Sequence, residues 1–288
     1  MADCCANIGP STDIPLCDHM DLRRVHFERP DLDVLRKEHM VVDMHFHTKY
    51  SYDSSNQIDA IVRRARSLKV QVAITDHNTA AGALAARRLA PDVIRPGIEI
   101  CTAEGKDVIP YFYTFEELDA FYRRVVLPGM RRKTSLQSNS TRITAEALLD
   151  ELSRENCIVA LPHPFAVPPR RSYPFFSAPR HALLLRRVHA IEAINATMTR
   201  KQNLASVGWS VQHGKSLVGG SDGHTVSPLG DVVTLAHADT WDAFLDEIRA
   251  GRASVVGIEH RLPHKMLNAT RMLREKARII KNLRPYRK

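Results

Sequence analysis

Apolar residues along the chain switch between a two-residue period and a period near four, and each switch marks a change of element. Val41, Val42 and Met44 make a short strand, and Ile58, Ile61, Val62, Ala65 and Leu68 then fall on one helical face. The run 70–75 (VQVAIT) is strand again, so the ordered part of the chain opens on a β-α-β unit. The alternation continues with a helix over 80–89, strand material over 93–101, a strand or hairpin over 108–113 and a helix over 115–126. Residues 128–143 (PGMRRKTSLQSNSTRI) are polar and basic and read as a long loop. Thr144 is placed to cap the helix TAEALLDELSREN, and the strand CIVALP follows. Beyond an irregular stretch rich in Pro and aromatics (164–179) come a helix over 181–187, the strand HAIEAIN, a helix over 198–213 and the strand SLVGG. The helix TWDAFLDEIRAG, with Gly251 where a terminating glycine belongs, leads into a last strand, SVVG. Roughly seven strands alternating with helices predict an α/β fold, either a parallel-strand barrel or an open doubly wound sheet.

Residues 1–40 lack this rhythm; rich in Asp, Pro and Arg, they read as an N-terminal arm ahead of a domain over 41–257. The 288 residues are 44% apolar and 25% charged, which excludes a disordered chain, and no apolar run approaches the roughly 18 residues of a membrane span. A formal charge of +9 suggests a nucleic-acid binder until its distribution is read. Ten basic residues and one acid lie in 261–288, so the whole excess sits in that part of a C-terminal tail, 258–288, and residues 1–260 are neutral. In that tail Leu262, Met266, Ala269, Leu273, Ala277 and Ile280 can share one helical face, with docking on protein as the favoured use. Nucleic acid or an anionic membrane surface is a partner only through this tail, and the neutral body favours a small phosphorylated substrate. Cys4, Cys5, Cys17, Cys101 and Cys157 are an odd, irregular set without a secretory signal, which points to a reducing cytoplasm. Cys4, Cys5, Cys17 and His19 lack zinc-ribbon spacing and read as part of the loose arm. Nothing in the pattern speaks to the oligomeric state.

Imidazoles and carboxylates gather where the strands are expected to end. His45 and His47, two apart on a strand, share a face, and Asp53 follows. Asp76 and His77 close VQVAIT, Glu99 sits in GIEI, His163 follows IVALP, and Asp222 and His224 follow SLVGG. Ligands in a β/α architecture converge from several strand ends on one rim, and an imidazole–carboxylate set free of thiolates suits zinc, manganese or iron.

The segments VVDMHFHTKYSYD, ITDHN, GIEI, ALPHPF and VGGSDGHTVSPLG, in this order, resemble the motifs of the PHP (polymerase and histidinol phosphatase) family. The resemblance spans 41–257 and implies a distorted seven-stranded (β/α)7 barrel with two or three divalent metals. It places His45, His47, Glu99 and Asp222 on one metal, Asp53, His77 and His224 on another, and Glu99 with His163 on a third, Glu99 bridging. Many members carry a histidine in the strand after the glutamate, where this chain has Ile109 within GKDVIPYFY. Two metals are therefore expected, with Asp107 a substitute donor at the third position or a surface turn residue. The implied activity is hydrolysis of a phosphate ester by metal-activated hydroxide, with His224 or Asp76 as candidate proton donors and Asp76 alternatively an orienter of His77. Arg131, Arg132 and Lys133 in the first long loop and Arg170, Arg171 and Arg180 around the second are candidates to grip the phosphate.

Three rivals stand beside that reading. Gly219-Gly220-Ser221-Asp222-Gly223 fits the G-x-S-x-G of serine hydrolases, with Asp231 and His237 as partners, but HTVSPLG breaks the helix that should follow. The same rim could hydrolyse C–N bonds, as in related amidohydrolases, or hold metal without catalysis. Trp209 and Trp241 read as helix packing, Asn195 as a turn or rim residue, and His19, His26, His39, His181, His213, His260 and His264 as surface.

Overall fold

The computed structural model describes residues 22–131 and 140–260. Its strands, in chain order, are β1 (Val25–His26), β2 (Met40–Phe46), β3 (Gln71–Ile74), β4 (Ile94–Pro96), β5 (Ile100–Cys101) and β6 (Asp107–Phe112). Then come β7 (Cys157–Leu161), β8 (Ala190–Asn195), β9 (Ser216–Gly220), β10 (Val232–Ala236) and β11 (Ser254–Gly257). They form a six-stranded sheet in the order β1-β11-β10-β2-β3-β4 and a five-stranded sheet in the order β5-β6-β7-β8-β9.

The fold is mixed α/β, and the expected closed seven-stranded barrel is not what forms. β2-β3-β4 and β7-β8-β9 run parallel, but β10 is antiparallel to both β2 and β11, and β6 to both β5 and β7. The two sheets meet without a continuous ladder. One seam is the bridge Phe46–Gly223, reinforced by the bond from Asp222 N to His45 O at 2.8 Å. The other is the pair of bridges His77–Glu99 and Gly97–Tyr111. Both seams lie beside residues expected to do chemistry, so the breaks in the ladder coincide with the site.

Helices form where the apolar spacing places them. Ile58–Leu68 buries Ile58, Ile61, Val62 and Ala65. Thr144 accepts the Ala147 amide at the start of Ala145–Leu152, as expected, and Thr114 and Thr199 close full capping boxes on Phe115–Phe121 and Arg200–Gln212. Between the sheets lies an apolar interior built from Val42, Met44 and Ala73 on one side and Ile109, Ile158 and Val218 on the other. Trp241, Phe244, Leu245 and Ile248 of the helix Trp241–Arg249 pack into this same core, with Trp241 Nε1 donating to Phe112 O at 2.8 Å. That seals the end where β2 and β7 begin and leaves the opposite end to polar side chains.

The structure corrects the expected boundaries in three places. Residues 25–26 pair with β11, so the arm reading holds at most for residues before the described part of the chain. The strand β10, between the last motif and the last helix, is absent from the expected series although VVTLA carries a β-branched run. His260, read as surface, is buried and bonds Asp231 at 3.1 Å, and that carboxylate also pairs with Arg29. Cys4, Cys5, Cys17 and His19, the loop residues Arg132 and Lys133, and the basic tail from Arg261 onward lie outside the described residues. Among the described residues no helix is long and apolar enough to cross a membrane.

Candidate metal centre

The open end of the sheets collects the side chains that the motifs supply. β2 delivers His45 and His47 to one face, and the segment after it is folded back by Asn56, whose Nδ2 donates to His47 O and Gly223 O at 2.9 and 3.1 Å. Asp53 lies on that segment, its Oδ1 accepting from Ser51 Oγ at 2.8 Å. His77 follows β3, and Glu99 lies between β4 and β5. His163, after β7, and Asp222, after β9, both have left-handed backbones with φ of 29° and 50°. Such conformations cost about 1–3 kcal/mol in a non-glycine residue and persist where surrounding contacts hold them.

The ring nitrogens and carboxylate oxygens converge. His45 Nε2 lies 3.1 Å from His47 Nε2, 3.4 Å from Glu99 Oε2 and 3.6 Å from Asp222 Oδ1. His47 Nε2 is 3.2 Å from Asp222 Oδ1 and 3.5 Å from Glu99 Oε2. On the other side Asp53 Oδ2 stands 3.2 Å from His77 Nε2 and 3.1 Å from His224 Nε2. Glu99 joins the halves: Oε2 is 3.0 Å from His77 Nδ1, and Oε1 is 3.1 Å from His163 Nε2. All eight predicted donors thus fall into overlapping clusters able to hold a cation: His47, Asp53, His77 and His224; His45, His163 and Asp222; and His45, His47 and Glu99.

The donor set fits divalent metal. It is imidazole and carboxylate throughout, and the buried atoms His47 Nδ1, His163 Nδ1 and Asp222 Oδ1 have no hydrogen-bond partner. Asp222 Oδ1 sits within ion-pair range of three rings, those of His45, His47 and His224, without a well-formed hydrogen bond to any of them, which is the geometry of a ligand oxygen rather than of a satisfied acceptor. The electrostatics agree. Burial raises the carboxyl pKa values of Glu99 and Asp222, yet the charges of His77 and His45 about Glu99, and of His45 about Asp222, hold both well below the usual range. Burial and the neighbouring His224 push His47 down to about 3, so that ring is neutral and one of its nitrogens carries a lone pair.

Asp107 is the residue the sequence left between two roles, and the structure takes it away from the surface. Its carboxylate is buried with Oδ2 unpartnered, pushed up by burial and the Glu99 charge, and clusters with His77 and Glu99. Ile109, two residues on, packs in the apolar interior against its strand neighbour Ala160.

Four of the residues expected at the site lie outside these clusters. Asp76 is in none of the clusters: its two oxygens accept from Thr48 N and Thr48 Oγ1, both at 2.6 Å, and burial pushes it up to about 6. These bonds order the turn after β2. Arg131 bonds Thr141 O at the loop base, Arg171 lies over the Tyr173 ring, and Arg180 stands exposed on the turn Pro179–His181. Arg170 alone of the described candidates reaches the cluster, its Nη2 2.6 Å from Tyr52 Oη, 3.5 Å from Asp53 Oδ2 and 3.4 Å from His77 Nε2. It lines a cavity of about 200 Å³ with Tyr52, His77, Cys101 and Asp107. The serine-hydrolase pattern also dissolves: Ser221 Oγ donates to the buried Asp43 at 2.6 Å, Asp231 serves His260, and His237 lies against His39 with the rings tilted by 34°.

Three residues that carry the site were not singled out for it. Lys106 Nζ donates to Pro169 O and Arg171 O at 2.8 and 2.9 Å, which brackets Arg170. Tyr52 stacks on His77 at 5.0 Å. Glu192, a carboxylate inside the apolar run AIEAI, is 3% exposed, and a charge in so apolar a strand was a legible signal of a buried partner.

Residues 43–155 match the PHP domain family, and residues 200–253 match the PHP-associated family. An uncharacterized protein of Methanocaldococcus jannaschii is 25% identical over 193 residues, 67% of this chain and 68% of that protein. Among solved structures, PsfC from Pseudomonas syringae aligns with a TM-score of 0.57 at 18% identity, covering 82% of this chain and 98% of that one. A proposed metal-dependent phosphoesterase of Bifidobacterium adolescentis aligns at 0.51 and 15%, covering 77% and 98%. The lesion-specific endonuclease EndoQ of Pyrococcus furiosus aligns at 0.59 and 15%, covering 75% of this chain but 57% of that one. At these identities the structural likenesses are likenesses of fold.

Proposed function

Because the chain belongs to the PHP domain family and its imidazoles and carboxylates converge at one end of the sheets, we propose that it is a metal-dependent hydrolase of phosphate esters. The observation that carries this reading is the convergence itself: eight donors from two sheets, overlapping through Glu99, with a buried carboxylate oxygen, Asp222 Oδ1, that no hydrogen bond satisfies. His45, His47, Glu99, His163 and Asp222 would hold one side of the centre, and Asp53, His77 and His224 with His47 the other. Asp107 is the donor we assign to a third position. Divalent metal in this setting lowers the pKa of water and offsets the charge that builds on a phosphoryl group.

The chain's own residues supply grip and geometry. Arg170, beside Asp53 and His77, presents a guanidinium whose planar fork suits a phosphate, and that cation favours a tetrahedral anion over the C–N substrate of the alternative reading. Lys106 holds the backbone on either side of Arg170 and so aims it. His224 Nδ1 lies 3.0 Å from Asp222 O, which places the ring proton there and leaves Nε2, beside Asp53 Oδ2, as the lone-pair nitrogen, so the residue is assigned to metal holding rather than to proton transfer. A cavity of about 200 Å³ beside Arg170 has room for a small phosphorylated group. The two described cysteines, Cys101 and Cys157, are free, which supports a cytoplasmic setting.

Elemental analysis of the purified protein, combined with phosphate release from a panel of sugar phosphates, nucleotides and oligonucleotides, tests the reading. Metal bound to the chain and release abolished by chelator are expected. A metal-free protein of full activity, or a metal-loaded one inert on every phosphate ester and active on amides, would overturn it.

A further inference from the structure

Strand β8 lies between β7 and β9, whose ends provide His163 and Asp222, yet it contributes no member of any metal cluster. It carries instead a buried polar network that touches three of the donors. Glu192 Oε1 is 3.0 Å from His45 Nδ1, and Glu192 Oε2 accepts from the His163 amide at 2.7 Å and from Asn195 Nδ2 at 2.9 Å. Asn195 Nδ2 also donates to Asp222 Oδ2 at 3.3 Å, and Thr197 Oγ1 approaches the same oxygen at 3.2 Å. Asn195 Oδ1 accepts from Thr197 N and Oγ1 at 2.8 and 2.6 Å, so the turn after β8 is internally braced.

From this geometry we infer that Glu192 is a positioning residue of the metal centre, fixing the tautomer of His45, the strained backbone of His163 and, through Asn195, the rotamer of Asp222. The inference rests on the metal-centre reading above. A carboxylate offers only lone pairs, so the proton shared with His45 belongs to Nδ1, and Nε2 is left as a lone-pair donor facing His47, Glu99 and Asp222. Carboxylate partners of this kind commonly set the ring orientation and basicity of a metal-ligating histidine. At His163 the second oxygen takes the amide of a residue with φ of 29°, which gives that conformation a specific buried partner. Reach is not incidental either: a Cβ at Gly220 would stand 2.4 Å from His45 N and Cβ, so β9 backs the same histidine that Glu192 grips from the ring side.

Glutamine at this position keeps the shape but replaces one acceptor by an NH2 group. With three donors facing two oxygens, the amide must either meet a donor with a donor or turn His45 to its other tautomer, which puts a proton on Nε2. The test compares wild type with Glu192→Gln in metal uptake, by competition of zinc against a chromophoric chelator, and in the visible spectrum of the cobalt-substituted protein. Thermal unfolding of the metal-stripped chains is run alongside. The expected result is a loss of about 10–100-fold in zinc affinity and an altered cobalt spectrum, with metal-stripped unfolding little changed. Wild-type affinity and an unchanged spectrum would overturn the inference, as would a loss of affinity no larger than the loss of stability explains. Should Glu192→Gln fail to fold, Asn195→Ser decides: it removes the bridge to Asp222 while keeping a hydroxyl for the turn, and wild-type zinc affinity in that variant overturns the inference. Phosphate release is measured separately, so a chain whose zinc affinity depends on Glu192 but which cleaves no phosphate ester sinks the proposed function and leaves the positioning role standing.

Discussion

Glu99 is the residue on which most of the centre depends, because its two oxygens face His45, His47 and His77 on one side and His163 on the other. Replacing Glu99 by Ala is expected to remove more metal and activity than His163→Ala, whose Nε2 pairs with a single Glu99 oxygen. Equal metal content in the two variants by elemental analysis would contradict the bridging role. A second prediction concerns a histidine away from the metals. His189 accepts the Val159 amide at 3.0 Å on Nδ1, and burial, helped by the charges of Arg249 and Lys215, pushes it down to about 4. A histidine whose folded pKa lies below its unfolded one contributes stability that is complete above the unfolded value, about 6.5, and is lost as pH falls toward about 4. In His189→Gln the difference in unfolding midpoint from wild type should therefore shrink or reverse between pH 7 and 4.5; a difference constant across that window counts against it.

At the scale of elements, the seam between β2 and β9 decides whether the two halves of the centre meet. His47 N bonds Gly223 O at 3.2 Å there, and Gly220 packs against the His45 backbone so closely that a Cβ has no room. Gly220→Ala must push the strands apart, and overpacking of this kind costs about 1–3 kcal/mol. Its effect on metal content should exceed its effect on stability, since a shift of one strand moves His45, His47 and Asp222 together. A variant that is destabilised but retains full metal would show that the seam is slack. The helices were legible because their period and caps are local properties: Thr144, Thr114 and Thr199 sit where a cap belongs. β10 went unseen as VVTLA is short and its pairing with β2 and β11 is antiparallel, a partnership that no local pattern announces.

For the molecule as a whole, a metal held by these clusters would join side chains that come from both sheets, so its removal should loosen the entire domain. Binding at about 100 times Kd contributes about 2.7 kcal/mol, worth roughly 5–10 °C in a domain of this size. Exhaustive chelation should lower Tm by that amount, and restored metal should return it; an unchanged Tm would mean that the cluster holds no metal in the folded chain. The sequence by itself determined the α/β character, the set of imidazoles and carboxylates that converge and the absence of a broad basic track on the body, because alternation, residue chemistry and charge are written one position at a time. Only the tertiary structure decided which of those polar groups face one another. Asp76 and Asp107 are equally plausible donors on paper, yet one is consumed by Thr48 and the other stands buried beside Glu99. Arg170 and Arg171 are neighbours in sequence, and only Arg170 reaches the centre while Arg171 lies over Tyr173. The reason is physical: a side chain's chemistry belongs to its residue, whereas its partners depend on strand register, on seams between sheets and on distances of a few ångströms set by packing from elsewhere in the chain.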